Sequence, residues 1–213
     1  MNNTVGKLIV IEGLDGAGTT TQTRLLEHWL VSQCQLDAMT TREPSNGPVG
    51  AMIRAILAKR LSADPLTLAG LFATDRLDHI YRPGGIDDQL KTGKWILMDR
   101  YYLSSFAYQA STMNEDQIQW LRTIHSPCPR PDLTIFIDVP VDICLERISQ
   151  NRYAEFELFE KKTSLEEIRT QYYIAMDYFL TQGENFTVID GTRPIDVVQQ
   201  DLHSVVNQAF HLL

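Results

Sequence analysis

The stretch Leu8–Gln22, which reads L-I-V-I-E-G-L-D-G-A-G-T-T-T-Q, decides the fold of this chain. It opens with a β-rich apolar run of four residues and continues directly into the glycine-rich segment Gly13–Thr20. Beyond that segment, Thr20–Cys34 places Leu25, Leu26, Trp29 and Leu30 at helical spacing. A strand, a glycine-rich turn and a helix in this order can cradle a polyphosphate with backbone N–H groups and the helix N-terminus.

The spacing from Gly13 to Gly18 fits the pattern G-x-x-x-x-G-K-[ST] at every position except one. Thr19 stands where the lysine belongs, and Thr20 keeps the hydroxyl expected to ligate Mg²⁺. A threonine cannot replace the positive charge of the lysine. Taken alone, such a segment is also compatible with a strand-to-helix turn that binds nothing.

Short apolar runs recur along the chain, each followed by a longer amphipathic stretch. The further runs are Ala38–Thr41, Trp95–Met98, Leu133–Ile137 and Phe186–Ile189, and helical patterns cover Val49–Leu61, Leu66–Tyr81 and about Ile86–Lys91. Strands that are apolar on both faces and alternate with helices are typical of a parallel sheet covered by helices. We therefore predict a three-layer α/β/α fold with a parallel central sheet of about five strands.

Acidic residues close four of these runs, namely Glu12, Asp99, Asp138 and Asp190. Ligands of open α/β sheets bind beyond the carboxyl ends of the strands. The sequence therefore predicts a functional edge where acidic groups gather.

Length and composition set further limits. The 213 residues favour one domain, and 44% hydrophobic with 22% charged residues excludes a disordered or fibrous chain. The formal charge of −8 argues against nucleic-acid or anionic-membrane binding. No apolar stretch approaches the roughly 20 residues of a membrane span. The chain has three widely spaced cysteines, Cys34, Cys128 and Cys144, which form no disulfide or zinc pattern. The N-terminus lacks a signal-peptide pattern. We therefore expect a cytoplasmic protein.

Further segments, in order, resemble the thymidylate kinase family of P-loop nucleoside-monophosphate kinases. Thr41–Pro44 resembles its R-E-P strand end, Leu71–His79 its L-F-x-A-x-R-x-x-H helix, and Asp99–Gln109 its D-R-Y-x-x-S-x-x-A-Y-Q segment. Asp138–Pro140, with Arg147 later, and Val188–Gly191 are similar to its segments before the lid and beside the adenine. The resemblance implies a P-loop NTPase fold with a short lid at about 150–162, the substrates ATP and dTMP, Mg²⁺, and a homodimer.

On the acceptor side, the resemblance implies that Phe72 stacks on the thymine ring and Arg76 donates to a base carbonyl. Arg42 and Arg100 would hold the 5′-phosphate through bidentate guanidinium contacts. The remaining acceptor residues would contact the sugar or line the base pocket: Asp15 at the 3′-hydroxyl, Tyr108 against the 2′ carbon, and Ser104, Ser105 and Gln109 around the base. For the two serines, helix capping is an alternative role.

On the donor side, the resemblance implies that the loop wraps the phosphates of ATP with Gly13, Leu14, Asp15, Gly16, Ala17, Gly18, Thr19 and Thr20. Thr20 and Asp99 would hold Mg²⁺, and Arg147 would flank the adenine. Arg152, in the lid, would close over the donor phosphates. Arg100, Asp99 and Arg152 are thus the expected catalytic residues.

The resemblance and these residues together lead to the hypothesis that the chain transfers the γ-phosphoryl group of MgATP to dTMP. The absent lysine supports an alternative, a nucleotide-binding protein with weak or no kinase activity. A third hypothesis keeps the kinase but changes the acceptor to dUMP or another pyrimidine monophosphate, because Phe72 and Arg76 can read the 4-oxo edge of either base. A nucleic-acid-binding module is the remaining alternative, and the acidic balance opposes it.

Overall fold

The structure, a computed structural model, describes residues 6–149 and 157–212. Within them, the strands are β1 (Leu8–Gly13), β2 (Ala38–Arg42), β3 (Trp95–Asp99), β4 (Leu133–Asp138) and β5 (Phe186–Asp190). The α-helices are α1 (Thr19–Ser32), α2 (Pro48–Leu57), α3 (Pro65–Tyr81), α4 (Ile86–Lys91), α5 (Tyr102–Tyr108), α6 (Glu115–His125), α7 (Val141–Ser149), α8 (Glu157–Thr181) and α9 (Ile195–Phe210). None of these helices is long and apolar enough to cross a membrane.

The five strands form one parallel sheet in the order β2-β3-β1-β4-β5. All six residues of the central strand β1 are buried. Helices α1 and α9 pack on each other and on strands of the sheet, and α5 packs along α8. Phe136 of β4 meets Tyr172 of α8 with ring centroids 4.9 Å apart. The predicted three-layer fold with five parallel strands is confirmed.

Helix α2 ends at Leu57, four residues before the predicted end at Leu61. Lys59 adopts a φ of 54°, and the N–H groups of Arg60 and Leu61 both donate to the carbonyl oxygen of Ala55. A residue in the left-handed region ends a helix because the backbone turns away from the helical path. The amphipathic pattern beyond Leu57 therefore belongs to a loop.

Strand β5 lies at the edge of the sheet, and Val188 at its middle is 50% exposed. The expected burial on both faces is wrong for this strand. An edge strand has one neighbour only, so the helices that cover the central strands leave part of it open to water.

A buried carboxylate on α3 fixes the loop that follows β2. Asp75 is 1% exposed, and its two oxygens accept hydrogen bonds from the backbone N–H and the hydroxyl of Ser45, both at 2.6 Å. This contact holds the segment after Arg42 against the helix that carries Phe72 and Arg76. Glu43 and Pro44, which follow β2, therefore line one cavity with Phe72 and Arg76 of α3.

Replacing this carboxylate tests its contribution to stability. We expect Asp75→Asn to lower the free energy of unfolding by about 1.5–3 kcal/mol, because the amide loses a charged acceptor for two buried donors. Asp78→Asn is the matched control on the same helix, where the carboxylate is half-exposed and lies 3.9 Å from Arg82. Its cost should stay below about 0.5 kcal/mol. Equal urea midpoints for the two variants would contradict the assignment.

Candidate active site

The glycine-rich segment between β1 and α1 forms a loop that opens the N-terminus of α1 onto a cleft. Gly16 and Gly18 have φ values of 88° and 94°, a region that side chains rarely adopt. A Cβ on Gly16 would lie 2.5 Å from the carbonyl oxygen of Cys144, so the loop also packs tightly on α7. The predicted loop residues that line this cleft of about 990 Å³ are Leu14, Asp15, Gly16, Ala17, Gly18, Thr19 and Thr20. Gly13 lies behind the loop, where its carbonyl accepts a hydrogen bond from Tyr172 at 3.2 Å.

Arg147 connects the loop to the opposite wall of the cleft. Its guanidinium donates to the carbonyl oxygen of Gly191 at 2.9 Å and lies 3.5 Å from the carbonyl oxygens of Gly16 and Ala17. The two walls of the cleft are thereby held at a fixed separation. Arg147 is the residue that the resemblance implied would flank the adenine.

A second cavity, of about 230 Å³, lies beside the loop on the α3 and α5 side. Eight of the nine predicted acceptor residues line it, namely Asp15, Phe72, Arg76, Arg100, Ser104, Ser105, Tyr108 and Gln109. Phe72 is half-buried at its wall, so part of its ring is accessible to a ligand. Arg42 is the exception, because it does not line this cavity.

Arg76 reaches the cavity from α3 and is held by a residue to which the sequence analysis assigned no role. Its Nε donates to Glu43 at 2.7 Å, a second nitrogen pairs with the same carboxylate, and Nη1 donates to Ser105 at 3.1 Å. Burial raises the pKa of Glu43 to about 7, although the charge and hydrogen bonds of Arg76 act in the opposite direction. Glu43 thus fixes the guanidinium in the wall of the cavity.

Arg100 follows β3 and lies where the two cavities meet. Its φ of 69° is in the left-handed region, which costs a residue other than glycine about 1–3 kcal/mol. One guanidinium nitrogen donates to Asp15 at 2.7 Å and another to Tyr172 at 3.1 Å. The guanidinium carbon also lies 5.2 Å from the centre of the Tyr108 ring. Asp15 and Arg100 line both cavities, so a ligand in either space can contact them.

Glu12, at the end of β1, is fully buried beneath this junction. Its carboxylate accepts from the Tyr101 N–H at 2.8 Å, the Ser104 hydroxyl at 2.6 Å and the Tyr172 hydroxyl at 3.1 Å. Burial raises the pKa of Glu12, whereas the hydrogen bond from Ser104 and the charge of Arg100 lower it. The carboxylate therefore anchors the residues that surround Arg100.

Thr20 and Asp99 meet at the C-terminal edge of the sheet. The hydroxyl of Thr20 donates to Oδ2 of Asp99 at 2.5 Å. Asp99 is 7% exposed, and its Oδ1 has no hydrogen-bond partner among the described residues. Both residues line a third cavity, of about 280 Å³, together with Arg42 and Arg24. Arg42 thus lines the third cavity, beside Asp99, rather than the second.

The other two acidic strand ends are engaged elsewhere. Asp138 accepts two hydrogen bonds from Arg169, at 2.9 and 2.7 Å, and one from Tyr173 at 2.8 Å. Asp190 accepts from the backbone N–H and hydroxyl of Thr192. The acidic groups do lie at this edge, as predicted. Asp138 and Asp190, however, are occupied by hydrogen bonds to neighbouring protein groups. Arg152 and the predicted lid up to 156 lie outside the described residues.

Sequence reasoning assigned no role to three residues that shape the site, Glu43, Tyr172 and Glu12. Glu43 was visible only as the middle letter of the R-E-P segment, and Glu12 only as an acidic strand end. Tyr172 lies in a helix 160 positions after Glu12, and no local pattern connects the two.

The loop, Thr20 and Asp99 are the residues that the sequence predicts to hold a polyphosphate with Mg²⁺, and they lie side by side. We expect tripolyphosphate with Mg²⁺ at 100 times its Kd to raise the Tm by on the order of 5 °C, since only the folded chain binds it. Thr20→Val should remove most of the part that depends on Mg²⁺, while Thr123→Val, at an exposed position of α6, should keep it. Equal shifts in both variants, measured by calorimetry, would exclude Thr20 from the site.

Comparisons with known proteins identify the family of this chain. The family model for thymidylate kinase matches residues 11–202. The chain is 34% identical over 208 residues to a protein of Desulfotalea psychrophila named "Thymidylate kinase", with 98% of each chain covered. It is also 34% identical over 208 residues to a Saccharolobus solfataricus protein named "Probable thymidylate kinase 1", with 97% of this chain and 96% of the relative covered. This chain therefore belongs to the thymidylate kinase family.

Proposed function

We propose that this chain transfers the γ-phosphoryl group of MgATP to dTMP, giving ADP and dTDP. The observation that carries the proposal is the junction at Asp15 and Arg100, which places a polyphosphate cleft and a base-sized cavity side by side. In the reaction, the bond from the γ-phosphorus to the β,γ-bridging oxygen breaks. A bond to an oxygen of the acceptor phosphate forms, and no other group is consumed.

In this proposal, the acceptor base lies against Phe72, and a carbonyl oxygen of the base accepts a hydrogen bond from Arg76. Arg100 lies between the acceptor phosphate and the γ-phosphate, and Arg42 approaches the acceptor phosphate from the Asp99 side. Ser104, Ser105 and Gln109 line the base, Asp15 accepts from the 3′-hydroxyl, and Tyr108 excludes a 2′-hydroxyl. Positive charge and in-line positioning are what phosphoryl transfer requires of a protein.

The donor set at Thr20 and Asp99 fits Mg²⁺. A hydroxyl and a carboxylate are hard oxygen ligands, and Oδ1 of Asp99 is buried without a partner among the described residues. The described residues contain no group of three or more His, Cys, Asp and Glu side chains that could hold a metal by themselves. Mg²⁺ bound to the phosphates of ATP would neutralise charge on them. Arg152 remains the proposed residue that closes over the donor phosphates.

A coupled assay of ADP release tests the proposal directly. We expect turnover with dTMP and MgATP, and a lower kcat/KM with dUMP and dCMP. A higher kcat/KM for dUMP would reassign the acceptor. Binding of ATP and dTMP without turnover would favour the nucleotide-binding protein that the absent lysine suggested.

Two variants separate the donor and acceptor cavities. Phe72→Ala should raise the KM for dTMP about tenfold or more, because stacking on a base contributes about 1–3 kcal/mol, and leave the KM for ATP unchanged. Arg147→Ala should do the reverse. Initial-rate measurements with each substrate varied in turn check both expectations. Parallel increases in both KM values for either variant would contradict the assignment.

We also propose a homodimer in the cytoplasm. Leu66 of α3 and Trp120 of α6 are exposed apolar residues, and Trp120 reaches to within 3.9 Å of a Cβ placed on Gly70, one turn after Leu66. Met52 on the neighbouring α2 is 49% exposed. Exposed apolar residues on helices that pack on one another support self-association. The cysteines Cys34, Cys128 and Cys144 are free thiols, as is usual in a reducing compartment.

A charge placed in this surface tests the dimer. We expect Trp120→Glu to yield monomers in sedimentation equilibrium, because a carboxylate would be buried at the centre of the contact. Val31→Glu is the matched control, an exposed apolar residue of α1, and should leave the mass unchanged. A monomeric parent chain at micromolar concentration would exclude the homodimer.

A further inference from the structure

Thr19 lines the phosphate cleft but cannot extend a charge into it. Its side chain is 6% exposed, and its Cγ2 lies 3.0 Å from a Cβ placed on Gly13, at the end of β1. The residue therefore packs beneath the loop and brings no charge. A kinase with this loop needs a cation from another element near the γ-phosphate.

Most arginines around the three cavities already have protein partners. Arg76 pairs with Glu43, Arg100 with Asp15, and Arg193 with Asp190 and Asp201, while Arg147 donates to carbonyl oxygens. Two arginines that line the third cavity differ: Arg24 and Arg42 make no side-chain hydrogen bond or ion pair with the described part of the chain. Arg42 is the proposed contact of the acceptor phosphate, which leaves Arg24 among the described arginines that line these cavities.

Arg24 is placed to reach the phosphate loop. It lies four residues after Thr20 in α1, so the two side chains share one face of the helix. Side chains in a helix lean toward its N-terminus, which directs Arg24 over the turn that carries Thr20. One turn is about 5.4 Å, a distance that an extended arginine spans.

The walls of the third cavity suit an anion. Arg24 and Arg42 face it together with the polar residues Thr40, Thr41 and Asn46. Asp99 is the one carboxylate among its described lining residues, and its buried Oδ1 is the unpartnered oxygen that fits Mg²⁺. Two guanidinium groups beside one carboxylate leave a net positive charge next to Thr20. An oxygen of a transferring phosphoryl group can therefore be bound here.

We propose that Arg24 contacts the migrating phosphoryl group and supplies the positive charge that Thr19 lacks. This inference rests on the proposed function and adds a catalytic residue that the loop motif does not contain. The charge comes from the second turn of α1, on the Asp99 side of the phosphates, instead of from the loop itself.

A double-mutant cycle with Thr19→Lys tests the inference. We expect Arg24→Ala to lower kcat by about a hundredfold or more, because an arginine aimed at a transferring phosphoryl group contributes on the order of 10³–10⁵. Arg24→Lys should recover part of this loss. In the Thr19→Lys background, Arg24→Ala should cost less than about tenfold, since two cations that serve one charge are not additive. Arg60→Ala, which removes an exposed side chain that makes no hydrogen bond or ion pair with the described residues, should leave kcat unchanged in both backgrounds.

The outcomes separate this inference from the proposed function. If the parent chain turns over dTMP and Arg24→Ala does not slow it, the inference alone is overturned. An equal loss in both backgrounds would also overturn it, because a structural role does not depend on residue 19. A parent chain that is inactive until Thr19 becomes lysine would show that Arg24 does not supply the charge. No turnover in either background would overturn both.

Discussion

The guanidinium of Arg100 is the contact on which the site depends. It joins Asp15 of the loop to Tyr172 of α8 and lies in the wall shared by two cavities. The strained φ of this residue is held by its own N–H bond to the Ile11 carbonyl and by the next N–H, which donates to Glu12. Because both acceptors belong to β1, the central strand sets the direction of Arg100. A relaxed backbone here would separate the two halves of the site.

The net charge of the chain does not predict the electrostatic potential at this site, because most of the acidic side chains there are hydrogen-bonded or ion-paired with neighbouring residues. The chain carries −8 overall, yet Glu12 is surrounded by hydroxyl and amide donors, and Asp138 is paired with Arg169. Asp99 alone among the four acidic strand ends keeps a buried oxygen without a described partner. Four acidic residues therefore end strands at this edge of the sheet, but among them only Asp99 keeps an oxygen available to a metal. The surrounding arginines decide the sign of the potential that a phosphate meets.

Local patterns predicted the parts of this molecule that local chemistry determines. The loop and the five strands follow from glycine spacing and apolar runs, and Phe72 and Arg76 lie one turn apart on one helix face. The partner of Arg76 was not predicted, because Glu43 is 33 positions away and meets it only once Asp75 has fixed the loop after β2. The same limit applies to Tyr172 and Glu12. The predicted end of α2 was wrong, because an apolar pattern gives no sign of a residue in the left-handed backbone region such as Lys59.

A threonine in place of the lysine removes a charge from the phosphate loop, and the loop still has the glycines that form its cradle. The cradle depends on left-handed glycines and on backbone N–H groups, and Gly16 and Gly18 keep both in this chain. A phosphate responds to the positive charge near it, whichever element carries that charge. Helix α1 begins within the loop, so a residue one turn further along the helix can reach nearly the same space as the missing lysine. Thr19 therefore identifies which cation the chain lacks, and Arg24 shows where the fold can supply another.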